Sequence, residues 1–168
     1  MSRLSHVVLV AMTLSMPLVA LLEAPLEAQD RLDVKLAQYH QESDPVRKAR
    51  MLANLGDEQV ALARRQLKDG NDVDCLQTLE QYRDEVLQTV ALLKTTGVNA
   101  EASPKGFKEL QISVRETIRR IQDLIIALPA DKRPFFREVP GDLTKAEDDL
   151  IDALFPRQRD KNPATAHP

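Results

Sequence analysis

The stretch PKGFKELQISVRETIRRIQDLIIAL, residues 104–128, decides the fold. Apolar side chains recur in it at spacings of three and four, which places them on one face of an α-helix. These positions are Phe107, Leu110, Val114, Ile118, Ile121, Ile125 and Leu128. Ser103 followed by Pro104 is a helix start signal, because serine caps free N–H groups and proline suits the first turn. Pro129 closes the repeat, so the stretch predicts an amphipathic helix over residues 104–128.

Two further long helices are predicted upstream. Ser43-Asp44-Pro45 repeats the start signal and opens a helix over residues 45–69. Its inward row is mostly small and should let a neighbouring helix approach closely; it includes Ala49, Ala53, Gly56 and Ala63. The segment Asp69-Gly70-Asn71-Asp72 offers a stop, and a third helix follows over residues 73–96. Because the connection is short, these two helices are expected to be antiparallel neighbours.

Shorter elements flank the three long helices. Apolar residues at helical spacing predict one helix over residues 30–42. Residues 129–141 hold three prolines and are not expected to form a regular helix. A last short helix is predicted from about residue 142 to 155. Residues 157–168 combine prolines and charges without an apolar repeat and are expected to be a disordered tail.

The predicted fold class is therefore all-α: an antiparallel helical bundle of three long helices plus shorter flanking helices, spanning residues 29–156. Composition agrees with this class. Aromatic residues make up 4% of the chain, Trp is absent, and only five glycines occur in 168 residues. An aliphatic core suits closely packed helices, whereas a β-rich fold needs more glycine for its tight turns.

Residues 1–28 are predicted to be a signal peptide. Arg3 supplies the positive start, Val7 to Leu22 carries no charge, and Ala28 is a small residue at the end. The alternative is a retained membrane anchor, but the apolar run falls short of the ~20 residues that span a bilayer as a helix. We expect cleavage, no stable membrane span after leader removal, and an exported protein of the periplasm or the medium.

Charge and motifs argue against several function classes. The leader contains Arg3, Glu23 and Glu27, so its removal changes the net charge from −3 to −2, which does not suit a nucleic-acid binder.

No G-x-S-x-G or H-E-x-x-H motif occurs, and no histidine is paired with another histidine or a cysteine at metal-ligand spacing. We therefore expect no enzyme activity, no cofactor and no metal. A loose metal site of His40 with Glu42 and Asp44 is the weaker alternative.

Cys75 is the single cysteine. It lies four residues before Leu79 on the apolar stripe of the third helix, which indicates a buried small hydrophobic residue. The alternative is a redox thiol or an intermolecular disulfide.

Five residues form a candidate interaction surface. Lys108, Arg115 and Arg119 lie on the fourth helix and suit an acidic partner. The alternative is that this basic face is solvated, or is attracted to the acidic last helix. Phe135 and Phe136 are adjacent in the proline-rich segment. We expect both to plug the end of the bundle; the alternative is that one of them is an exposed contact for a partner.

Residues 30–157 resemble a group of uncharacterised exported bacterial helical proteins. The sequence segments that show the resemblance are GDEQVALARRQL, LEQYRDEV, GFKELQISVR and LFPRQ. It implies a helical fold and nothing about activity, cofactor or site residues. Leu55-Gly56-Asp57 suggests a tetratricopeptide repeat, but Gln59 and Lys68 stand where that pattern requires Tyr and Ala, and no 34-residue period is present.

These observations favour a non-enzymatic interaction or scaffold module of the cell envelope, with another envelope protein as its partner and no nucleic acid. An envelope stress or metal-responsive binding protein is the first alternative. An enzyme with an unrecognised helical active site is the second.

Overall fold

The structure, a computed structural model, describes residues 23–156, with side chains described from residue 29 onward. Its helices are α1 (Glu23–Gln41), α2 (Pro45–Lys68), α3 (Asp72–Thr95), α4 (Phe107–Ala127), α5 (Arg133–Phe136) and α6 (Glu138–Leu154). This range contains helices and no strand, which confirms the all-α prediction. Residues 1–22 of the predicted leader and the predicted tail lie outside it.

Four helices enclose the core in a ring. α2 packs against α3 and α4, and α6 packs against the same two helices from the other side. The side chains between them are mostly aliphatic, as the composition indicated. Those that are fully enclosed include Leu52, Leu79, Leu110, Ile121, Leu143 and Leu150. α1 is a fifth helix, packed outside the ring against α2.

Helix directions in the ring are mixed. α2 and α3 are antiparallel neighbours, as predicted from their short connection. α2 and α4, in contrast, run parallel. Contacts between them advance in the same direction on both helices: Arg50 to Glu109 at 4.0 Å, Ser113 Oγ to the Ala53 carbonyl at 2.8 Å, and Arg120 to Asp57 at 2.5 Å. Two antiparallel pairs, α2/α3 and α4/α6, therefore stand side by side, because residues 96–106 cross one end of the bundle from α3 to α4.

α4 begins three residues later than predicted. Gly106 has φ of 84°, a left-handed conformation that ends any helix extending from Pro104. A Cβ at Gly106 would also lie 3.1 Å from Val46 at the start of α2, so glycine allows the close approach there. The Gly106 N–H donates to the Glu109 carboxylate at 2.8 Å and closes the first turn.

The prediction that residues 129–141 form no regular helix is wrong for their second half. α5 contains Pro134, and α6 begins at Glu138 and contains Pro140 and Gly141. Both prolines lie in the first turn of their helix. The N–H groups of a first turn have no acceptor within the helix, so a residue without an N–H is tolerated there.

α1 also begins earlier than predicted, at Glu23, so the expected cleavage after Ala28 falls within this helix. It runs antiparallel to α2, because Gln41 leads through a short turn to Pro45 and Lys35 pairs with Glu58 further along α2. The start of α1 therefore lies at the end of the bundle where α2 ends and α3 begins.

The small-residue row of α2 permits a close approach of three helices. A Cβ on Gly56 would lie 2.9 Å from both the Thr117 hydroxyl on α4 and the Tyr82 hydroxyl on α3. These two hydroxyls form a hydrogen bond of 3.4 Å across the core. Glycine at this position leaves room for that pair.

Candidate functional site

The predicted basic residues lie along the solvent side of α4. Lys108, Arg115 and Arg119 are exposed, and the helical repeat places them on one face together with Ile112. Ile112 is 45% exposed, a large fraction for an isoleucine. The sequence did not single it out, because it lies off the inward apolar stripe of the helix. We call Lys108, Ile112, Arg115 and Arg119 the outer face of α4.

The outer face of α4 is only partly neutralised by the rest of the bundle. Arg115 forms an ion pair with Glu147 on α6 at 3.0 Å, and Gln111 donates to the same carboxylate at 3.0 Å. The predicted attraction between the fourth and last helices is therefore present at this residue. Within the described part of the chain, Lys108 and Arg119 form no ion pair. Their charges remain available to a carboxylate from outside.

Phe135 and Phe136 have opposite environments. Phe136 is 2% exposed and fills the end of the core, whereas Phe135 is 70% exposed. Consecutive side chains on a helix point roughly 100° apart, so the single turn of α5 cannot turn both rings inward. The expectation that both rings plug the bundle is wrong for Phe135, and the alternative of one exposed ring describes the structure.

Two other exposed apolar residues lie at the same end of the bundle as Phe135. Ile126 is 69% exposed and Val73 is 78% exposed. A short network joins their neighbours: Lys132 pairs with Asp72, and Arg133 Nη2 donates to the Ile126 carbonyl at 2.9 Å. We call Val73, Ile126 and Phe135 the α5 end of the bundle. Sequence reasoning identified only Phe135, because the other two come together through the tertiary fold.

Cys75 is fully buried, which confirms its predicted placement in the core. Burial, followed by the negative charge of Asp72, raises the pKa of its thiol to about 11. A thiol in this environment stays protonated and a poor nucleophile at neutral pH.

The proposed ligands of a loose metal site serve other purposes. Asp44 caps α2 by accepting from the Arg47 N–H at 2.8 Å, and Glu42 accepts from the Asp44 N–H at 2.8 Å. His40 instead approaches Glu85 on α3, with Nε2 3.5 Å from the carboxylate. Across the described residues, no group of three His, Cys, Asp or Glu side chains is arranged to hold a metal ion.

A buried polar cluster joins α1 to the ring, and the sequence showed no sign of it. The Glu85 carboxylate accepts from the amides of Gln59 and Gln81, each at 3.0 Å. The Tyr39 hydroxyl donates to the Glu85 backbone carbonyl at 3.2 Å and shares a hydrogen bond of 2.8 Å with Thr89. Burial is the main cause that raises the pKa of Tyr39 to about 12. Both carboxylate oxygens are thus engaged, and the arrangement anchors α1 rather than offering a free acid or base.

Two depressions on the surface of the described residues are open to solvent and lined largely by charged and amide side chains. One of about 560 Å³ lies beside the polar cluster and is lined by His40, Glu80, Gln81, Asp84, Glu85 and Gln88, among others. Another of about 390 Å³ lies where α2 meets the start of α4 and is lined by residues that include Arg47, Arg50 and Glu109. Charged and amide side chains of this kind suit a solvated helix surface.

No helix within residues 23–156 is long and apolar enough to cross a membrane. The chain matches no protein family, no curated protein and no solved structure.

Proposed function

We propose that this chain is a non-enzymatic exported protein, an interaction or scaffold module of the cell envelope that holds a partner protein along the outer face of α4. The proposal rests on the exposed aliphatic side chain of Ile112, which lies between Lys108 and Arg119, two cations that form no ion pair with any described residue. Apolar contact supplies affinity, and charges around it select the partner.

The chemistry of the surface defines the partner. A segment with one or two apolar residues flanked by carboxylates would cover Ile112 and pair with Lys108 and Arg119. Because Arg115 is already paired with Glu147, it contributes less to such a contact. We therefore expect an acidic amphipathic segment of another envelope protein, bound through a small and reversible contact.

A photo-crosslinking amino acid at Ile112 tests this proposal in cells that make the protein. A second probe at Leu87, an exposed leucine on α3, is the matched control. We expect the probe at Ile112 to form one discrete crosslinked product whose attached peptide is acidic, and the probe at Leu87 to form none.

Charge-reversal variants distinguish a specific contact at the outer face of α4 from a non-specific one. K108E/R119E should abolish the crosslink at Ile112, whereas K68E/K145E, which reverses two exposed lysines elsewhere, should preserve it. Equal crosslinking from both probe positions, or a product that survives K108E/R119E, would contradict the proposal.

A further inference from the structure

The α5 end combines exposed apolar side chains from three separate elements. Val73 belongs to the first turn of α3, Ile126 to the last turn of α4, and Phe135 to α5. The bundle core does not cover any of these side chains, although Phe136 beside them is buried. Exposed apolar side chains gathered at one end of a small domain suit a contact with an apolar partner.

The start of α1 lies at the same end of the bundle. α1 runs antiparallel to α2, so its first residues stand beside the end of α2 and the beginning of α3, where Gln29 lines a depression together with Gln66 and Asp74. The chain that precedes α1 includes residues 7–22, which carry no charged side chain. A run of this composition favours lipid over water. The most apolar stretch of the chain therefore joins the bundle beside the α5 end.

Charges at the α5 end do not favour an ionic partner. Two of the segments at this end, 68–74 and 129–138, are close to electrically balanced. They contain Lys68, Lys132, Arg133 and Arg137 against Asp69, Asp72, Asp74, Asp131 and Glu138. Lys132 is also paired with Asp72, and Arg133 donates to the carbonyls that end α4. Contact through Val73, Ile126 and Phe135 would then be apolar and only weakly dependent on salt.

We propose that the α5 end is a lipid-contacting surface: while residues 7–22 are attached, Phe135, Ile126 and Val73 lie against the membrane interface and orient the bundle with α1 entering from the lipid side. Aromatic side chains are favoured at this interface. The outer face of α4 extends away from the membrane in this orientation. This inference does not depend on the partner proposed for α4, since it concerns a different surface and a different class of partner.

Single tryptophan reporters test the orientation, because the chain contains no Trp of its own. F135W places the reporter at the α5 end. F155W places it after α6, at the opposite end of the bundle, where Phe155 is 53% exposed and is a matched control. Each full-length variant is reconstituted in phosphatidylcholine vesicles with and without brominated acyl chains, after circular dichroism and a thermal melt have shown the wild-type fold.

Emission from F135W should move to shorter wavelength in vesicles, and brominated lipid should quench it, both at low and at high salt. Emission from F155W should keep its wavelength, and brominated lipid should not quench it. Equal quenching of the two reporters, or quenching of neither, would overturn the proposal. A shift in F135W that follows protein concentration in lipid-free solution would overturn it as well, because it would identify a second copy of the chain as the occupant.

Discussion

At the scale of single residues, α4 separates core from solvent within one turn. Ile121 is fully buried on the inward stripe, and Arg119, two positions earlier, is exposed and has no ion pair within the described residues. Helical periodicity in the sequence predicted both positions. It did not predict that Phe135 is exposed and Phe136 buried, because the direction of a side chain in a one-turn helix depends on how that helix packs against the bundle.

Ile121→Ala should lower the free energy of unfolding by about 2–5 kcal/mol, because it removes buried methyl groups and leaves a cavity. Arg119→Ala should change it by no more than about 0.5 kcal/mol, as expected for a solvated side chain. Chemical denaturation of both variants measures the difference. Similar losses in the two variants would mean that the inward and outward faces of α4 have been misassigned.

At the scale of helices, packing reverses the usual effect of glycine. Glycine in a helix is ordinarily a weak point, because it leaves the backbone too much freedom in the unfolded chain. Gly56 is retained in α2 where the hydroxyls of Tyr82 and Thr117 leave no room for a methyl group. At Gly141 in α6, in contrast, no described atom outside the neighbouring residues and the nearby helix backbone lies within 4 Å of the position that a Cβ would take.

The two glycines predict opposite results for the same substitution. Gly56→Ala should destabilise the protein by about 1–3 kcal/mol, because the added methyl must displace Tyr82 or Thr117. Gly141→Ala should stabilise it by about 0.4–1 kcal/mol, because the methyl meets open space and restricts the unfolded chain. Thermal melts of the two variants provide the measurement. Stabilisation by both substitutions would show that α2, α3 and α4 are less closely packed at Gly56 than described.

At the scale of the whole molecule, three weak acids keep their protons because the fold buries them. Burial raises the pKa of Cys75 from 9.0 to about 11, and the pKa values of Tyr39 and Tyr82 from 10.0 to about 12. Hydrogen bonds to Thr89 and Thr117 oppose the rise for the two tyrosines without cancelling it. In the unfolded chain all three groups ionise at lower pH than in the folded protein.

Stability should therefore fall in alkali. Between about pH 9 and pH 11 the unfolded chain loses the Cys75 proton while the folded protein keeps it, which lowers the unfolding free energy by roughly 1.4 kcal/mol per pH unit. The tyrosines add to this loss above about pH 10. Urea denaturation at a series of pH values measures the slope.

Cys75→Ala supplies the control for that slope. The variant should delay the onset of the alkaline loss from about pH 9 to about pH 10, where the tyrosines begin to ionise in the unfolded chain. Unchanged stability of the wild-type protein from pH 8 to pH 11 would contradict the burial of these groups.

The all-α class, the three long helices and the boundary between α2 and α3 could be predicted from the amino-acid sequence alone. Those features depend on local signals: apolar spacing along one helix, the Asp44 cap, and Gly70, which has φ of 82° at the end of α2. Such signals act over a few residues, so they are visible in the chain before it folds.

Only the tertiary structure decided which helices are neighbours and in which direction they run. The parallel pairing of α2 with α4, the polar cluster around Glu85 and the exposure of Phe135 beside the buried Phe136 all join residues that are distant in sequence or depend on docking. An amphipathic stripe indicates which face of a helix is buried, but it does not indicate which other helix covers that face. The partner is selected when all stripes are buried together, since the hydrophobic effect is not directional and the packing of the whole core determines the arrangement.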